Sequence, residues 1–390
     1  MKIKREQNWQ IILLNIRHII LGVTICFVLL GNAQFISNLT LNTQIVIRIV
    51  PIILFLISLF EKSISVREAL NWFIIIIIAL IIYYFSRDGM PLYLILVVFS
   101  FRHDELIGVI KIYLISNILI FIIAFILGKI GILATTTTDT ISGILKDTVG
   151  FRNPNTDGMI IFTIITTMLS IKSRIVKKNN IYKILLFWVL QLFLIYLLVK
   201  SGARGAEVGV ILSYFIYWLN LVLNNKKLLG YISYIIIAVS LIFSYVSITS
   251  SVYTTGSLFY KLNGIFSGRI GLNYLFLNYY GVKVFGQSIH YSTISSSTQV
   301  YWYLDNSFIK ILINYGFLFF VLFISYYICI IFLALKKKEY YLLIPLVSFF
   351  AYGVVEQALM LYYVNLTALF LGVLYQAEKT GKEKEKYFGK

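Results

Sequence analysis

Long apolar runs dominate the chain, and polar residues gather in the short stretches between them. Runs such as "NWFIIIIIALIIYYFS" and "FIKILINYGFLFFVLFISYYICIIFLAL" reach or exceed the roughly 20 apolar residues that cross a hydrocarbon core as helix. Strand-like alternation is absent from the pattern, which speaks against an outer-membrane barrel. About twelve helical spans are expected, near residues 18–37, 44–60, 70–86, 90–101, 106–128, 158–171, 181–199, 205–223, 230–249, 307–334, 340–355 and 358–376. The expected fold is therefore an all-α integral membrane protein, a polytopic bundle with one membrane domain over residues 1–376. A long outer loop occupies residues 250–306 within it, and a basic cytoplasmic tail follows at 377–390.

Composition supports the bilayer. The 390 residues are 59% hydrophobic and only 13% charged, more apolar surface than a soluble chain of this length hides in its interior. The net charge of +18 would point a soluble protein toward nucleic acid. Here the cations concentrate in "MKIKRE", "EKSISVRE", "FRHDE", "IKSRIVKKNN", "NNKK", "KKKE" and the lysine-rich tail. Because cations in short cytoplasmic loops set orientation, that distribution reads as topology: both termini inside, no nucleic-acid partner. The first apolar segment lacks a small-residue cleavage site after it and reads as a retained span. Cys26 and Cys329 lie in apolar spans without a paired spacing, so neither a disulfide frame nor a metal site is expected. Walker, dinucleotide and HExxH signatures are missing and no cofactor is implied. No internal repeat echoes along the chain, against a transporter built from duplicated halves.

With this topology the inward-running spans start at the outer face, where unpaired backbone N–H groups and the helix dipole favour an anion. The informative polar stretches lie at those starts: "FRNPNTDG" before 158–171, "SGARG" before 205–223, "LDNS" before 307–334, and Glu356 with Gln357 before 358–376. A second arginine-glycine pattern, "FSGRIG" around Arg269, lies in the long loop. Arg204 and Arg269 each have the chemistry of a guanidinium fork on a phosphate, with glycines that let the backbone approach; headgroup snorkelling is the competing reading of Arg204. Arg17, Arg48, Lys111 and Lys183 fall near span ends and are expected to snorkel, with Arg48, close to the outer face, also a candidate to join the site. Asp305 follows the aromatic run Tyr301, Trp302 and Tyr303, whose rings have the shape to stack on sugars. Its carboxylate is a candidate to take a proton from a hydroxyl, and Asp305, Asn306 and Ser307 equally suit a helix N-cap. His290 is a candidate proton carrier or an exposed loop residue. Asn153 and Asn155 are turn formers first and partners for sugar hydroxyls second. Glu356 is costly if buried and then suited to orient an arginine.

In this order "GFRNPNTDG", "SGARG", "SGRI" with "LNYLFLNYYGVKVFGQSI", "LDNSFIKILINYG" and "AYGVVEQALMLYYVN" resemble the Wzy-type repeat-unit polymerases of capsule, exopolysaccharide and O-antigen assembly. The resemblance implies a GT-C-like membrane glycosyltransferase that uses no nucleotide sugar. It would act at the outer face of the cytoplasmic membrane on repeat units carried by undecaprenyl diphosphate, moving the growing chain onto the next lipid-linked repeat. A chain-length regulator and a flippase are the implied protein partners, besides membrane lipids. Arg204 and Arg269 would hold the diphosphate, Asp305 would be the base with His290 in reserve, and Asn153, Asn155, Asn306, Trp302, Tyr303 and Glu356 would bind substrate. The related O-antigen ligases carry His-Asn where this chain has Asp305 and Asn306, a departure that favours polymerase over ligase. A lipid-linked oligosaccharide flippase is the rival from another class, and would need a cationic cavity near the bilayer midplane. A non-catalytic partner in polymer export would not need the arginine pair.

Overall fold

A computed structural model of the chain describes residues 2–31, 39–60, 66–101, 106–138, 145–151, 153–175, 180–249, 254–265, 268–292 and 302–370. The helices are α1 (Lys2–Leu30), α2 (Leu39–Leu59), α3 (Val66–Ser86), α4 (Met90–Ser100), α5 (Leu106–Lys129), α6 (Pro154–Ile175) and α7 (Ile181–Ser201). They continue with α8 (Arg204–Val222), α9 (Lys226–Ser247), α10 (Leu258–Ile265), α11 (Arg269–Tyr280), α12 (Ser307–Lys310), α13 (Gly316–Lys336) and α14 (Leu343–Tyr352). Among the described residues eight helices are long and apolar enough to cross a membrane: those at Ile12–Leu30, Asn42–Leu59, Glu68–Ser86, Leu106–Lys129, Ile181–Ser201, Arg204–Val222, Lys226–Val246 and Ser307–Lys336. Each overlaps an expected span, Ile12–Leu30 being offset toward the amino terminus from the expected 18–37.

The remaining expected spans differ in informative ways. Those at 90–101 and 340–355 are short apolar helices, Met90–Ser100 and Tyr340–Tyr352. The one at 158–171 lies in the 22-residue α6, an internal helix whose residues 160–171 are all buried. Its hydroxyls find partners inside the bundle: Thr163 Oγ1 donates to the Met159 carbonyl at 2.8 Å, and Thr166 meets Ser213 at 2.8 Å. Of 358–376, residues up to 370 are described, and they form turns ending in a 3₁₀ turn at Leu366–Leu369. Asn365 explains the irregularity there. Its side chain donates to the Leu359 carbonyl at 2.9 Å and accepts from the Thr367 N–H at 3.1 Å, offering the backbone an alternative to the helical ladder. The tail at 377–390 lies outside the described residues.

The connections carry more structure than their composition promised. Thr136–Thr138 pairs antiparallel with Leu145–Asp147, as suits the β-branched threonine run. The long loop holds α10 and α11, and Phe276 of α11 packs with Leu304, Ile309 and Ile313 into a small core of its own. Arg17 does not snorkel as expected. It is fully buried, with its guanidinium 5.2 Å from the Phe101 ring, where stacking on an aromatic face stands in for water.

One backbone crossing ties the loop to the bundle. The helix Ser307–Lys336 is interrupted by a π turn at Ile311–Tyr315, and the strand of loop around Gly286 lies across that break. Gln287 N–H donates to the Asn314 carbonyl at 3.0 Å, while Phe317 and Leu318 donate to Lys283 and Val284 at 2.9 and 3.1 Å. A side chain has no room there: a Cβ on Gly286, whose φ is +83°, would sit 2.2 Å from the Asn314 oxygen. Gly286→Ala is therefore expected to destabilise the detergent-solubilised protein by about 3 kcal/mol. Gly268→Ala, at φ +81° with nothing within 4 Å, should cost only about 1 kcal/mol. Thermal unfolding of the two variants checks the difference.

Candidate functional site

The polar stretches meet at one end of the bundle, and small residues make the approach possible. Gly158, in the first turns of α6, packs so closely on Ala203 that a Cβ there would lie 2.4 Å from the alanine methyl. Gly205 in the first turn of α8 packs on Val355, its Cβ position 2.9 Å from Cγ2. The turn that carries Val355 is in turn bonded to the start of α12: Ser307 N–H donates to the Gly353 carbonyl at 2.7 Å, and Ser307 Oγ to the Glu356 carbonyl at 2.6 Å. The N-termini of α6 and α8, the mouth of α12 and the 353–357 turn thus form one contiguous surface.

Arg269 stands at its centre. It is the first residue of α11, and its Nε lies 3.2 Å from Asp305 Oδ2 while its Nη1 lies 2.6 Å from Glu356 Oε1. Nη1 also reaches the Val355 carbonyl at 3.4 Å. Two carboxylates therefore share one guanidinium, and the side chains are 24% exposed for Arg269, 7% for Asp305 and 16% for Glu356. Burial pushes the Glu356 carboxyl up to about 7; the Arg269 guanidinium opposes the shift and the Asp305 charge adds to it. Arg204, exposed on the first residue of α8, precedes the glycine that touches Val355.

Asn306 is the helix cap. Its Oδ1 accepts from the N–H groups of Phe308 and Ile309 at 2.9 and 3.1 Å, and its Nδ2 donates to Ser244 Oγ at 3.0 Å. That leaves the neighbouring Asp305 to pair with Arg269. Asn153 and Asn155 form the turn into α6, the Asn155 N–H bonding Asn153 Oδ1 at 2.9 Å, and no described bond links either to the Arg269 cluster. His290 is exposed, and its backbone N–H meets the Tyr280 hydroxyl at 3.1 Å. Among the described residues its ring makes no bond to Arg269, Asp305 or Glu356. Trp302 is half-buried, its ring stacked on Phe276 at 4.4 Å and meeting Tyr279 edge-on at 6.1 Å. Tyr303 lies against Tyr291, ring centroids 5.3 Å apart. Burial raises its hydroxyl above the ordinary tyrosine value, a hydrogen bond to Gln357 opposing the shift. Tyr301 lies outside the described residues.

Some polar partners are not among the candidate site residues. Lys310 sits one turn below Asn306, its ammonium donating to Gln357 Oε1 and lying 5.1 and 5.8 Å from the rings of Tyr291 and Tyr303. Asp88 accepts from the Tyr315 hydroxyl at 2.8 Å and from the Met90 N–H at 3.0 Å. Asp157 is buried, with Oδ2 receiving the Val149 N–H at 3.0 Å and clamping the preceding connection onto α6. On α9 the serines at 244 and 247 hold Asn306 and, at 2.9 Å, Asn273 of α11. The serine spacing along an apolar helix is the signal that could have found them, since it places both on one face.

Comparison of the chain with protein-family models, curated proteins and solved structures finds no match. The stacking geometry makes a prediction of its own. Trp302→Ala should open the small loop core and cost roughly 2–3 kcal/mol, seen as faster proteolytic cleavage between residues 281 and 306 rather than as a selective loss of sugar affinity.

Proposed function

We propose that the chain is a Wzy-type polysaccharide polymerase, a membrane glycosyltransferase that joins repeat units carried by undecaprenyl diphosphate. The carrying observation is the run of contacts from "FRNPNTDG" through "SGARG" to the turn of Glu356, which pairs with Arg269 beside Asp305 of "LDNS". An anionic leaving group needs guanidinium donors and free backbone N–H groups at the place where charge develops. Arg204 and Arg269 supply the donors beside the first turns of α6 and α8. In this reading the eight long helices and the shorter segments form a GT-C-like domain of about twelve crossings. The site faces the exterior and both termini the cytoplasm. The charge distribution supports that orientation. Lys226 begins α9 and Lys336 ends α13, both at the end of the bundle away from Arg269, and Lys172 lies toward the same end of α6.

The chemistry follows from the cluster. A lipid diphosphate seated between the arginines presents its anomeric carbon to the acceptor hydroxyl, and the charge that grows on the departing diphosphate falls on the guanidinium groups. The carboxylates beside Arg269 are the bases within reach. Trp302, half-buried against the loop core, braces the loop beside the cluster.

Purified full-length protein, given lipid-linked repeat units extracted from source cells that lack this chain, should build a ladder of polymers without nucleotide sugar. Arg269→Lys and Arg204→Lys should each cut ladder formation by about 100-fold, because a point charge does not replace the planar fork. Full laddering in both lysine variants would contradict the assignment, and a wild-type protein that only relocates the lipid across vesicles would point to a flippase.

A further inference from the structure

We propose that Glu356 is the proton acceptor of the transfer step, and that the donor's diphosphate sets it free by taking Arg269 from it. The inference rests on the glycosyl-transfer reading above. As the structure stands, Arg269 is balanced by Asp305 at 3.2 Å and Glu356 at 2.6 Å. The trio carries a net negative charge when both acids are ionised, so a diphosphate cannot share the guanidinium unless one carboxylate yields.

Glu356 is the one built to yield. Asp305 stands between the fully buried Leu304 and the capping Asn306, whose bonds to Phe308, Ile309 and Ser244 fix the backbone on either side. Glu356 belongs to an irregular turn whose backbone is anchored by the Ser307 hydroxyl, while its carboxylate has Arg269 as its side-chain partner and is more exposed than that of Asp305. The groups around it are Arg269 from α11, Asp305 from the mouth of α12, Tyr352 from α14 and Tyr303 from the loop, with Gly205 in the first turn of α8 packed on the adjacent Val355 and Lys310 held by the adjacent Gln357. Asp305 stays the counter-ion, and Glu356, raised to about 7, exchanges the proton.

In the step itself the acceptor hydroxyl gives its proton to a Glu356 carboxylate oxygen as its own oxygen bonds the donor's anomeric carbon. The bond from that carbon to the diphosphate breaks, and its electron pair leaves on the diphosphate oxygen, against Arg269. Glu356 then returns the proton to water.

Two readouts on the full-length protein test this: binding of farnesyl diphosphate, and ladder formation from the extracted lipid-linked repeats. Glu356→Gln removes a competing charge and a base together. It should bind farnesyl diphosphate about 10-fold more tightly than wild type near pH 8 and lose laddering by about 100-fold or more. Near pH 6, about a unit below the Glu356 value, wild type carries the proton there and the binding difference should vanish. Wild-type laddering at low lipid-linked repeat, which reports the free enzyme, should rise with pH through about 7. Tight binding by Glu356→Gln also shows that the variant is folded. Laddering retained within a few-fold in Glu356→Gln, beside an active wild type, overturns the role of Glu356 and leaves the polymerase reading standing. A wild type that neither binds the diphosphate nor ladders overturns both.

Discussion

A guanidinium shared by two carboxylates at the end of an apolar bundle is the constraint on which the rest of this structure depends. Charges placed among so many aliphatic side chains persist only when paired, and removing one partner of such a cluster leaves the others uncompensated at a cost of about 3–5 kcal/mol. Arg269, Asp305 and Glu356 come from α11, the mouth of α12 and the turn after α14. Their pairing therefore joins three separate parts of the chain. The Gly286 crossing over the π turn and the serines of α9 serve the same end, holding loop and helix in register so that the charges meet.

The same pairing makes the site self-contained without a ligand. A cation already balanced by acids does not attract every passing anion; it responds to one strong enough to displace a carboxylate. A diphosphate, with two phosphoryl groups and a planar fork to grip them, meets that condition better than a single phosphate headgroup. Displacement then changes the chemistry of the acid left behind, because a carboxylate that loses its guanidinium becomes the stronger base. Binding and activation are in this account the same event.

Much of the bundle is legible in the sequence, because long apolar runs leave the backbone no alternative to helix in hydrocarbon. Among the described residues, the eight helices long and apolar enough to cross a membrane overlap the runs. What hydropathy misses is set by polar side chains acting on the backbone. Asn365 turns an apolar stretch into a 3₁₀ turn, and the threonines of α6 mark an internal helix rather than a lipid-facing one. For the site, the motifs locate Arg269, Asp305 and Glu356, but pattern alone does not reveal that they share a bond network, nor that Asn306 takes the capping role. Trp302 shows where pattern leaves two readings open. An aromatic beside a polar motif suits a ligand platform and a loop core equally well, and its place against Phe276 is decided by the tertiary fold.

The most direct measurement is a structure of the full-length protein with a prenyl diphosphate bound. The account predicts the diphosphate between the guanidinium groups of Arg269 and Arg204, with the Glu356 carboxylate withdrawn from Arg269 and Asp305 still in place. A diphosphate bound elsewhere, or one seated there with the Arg269–Glu356 pair still at its present 2.6 Å, would contradict it.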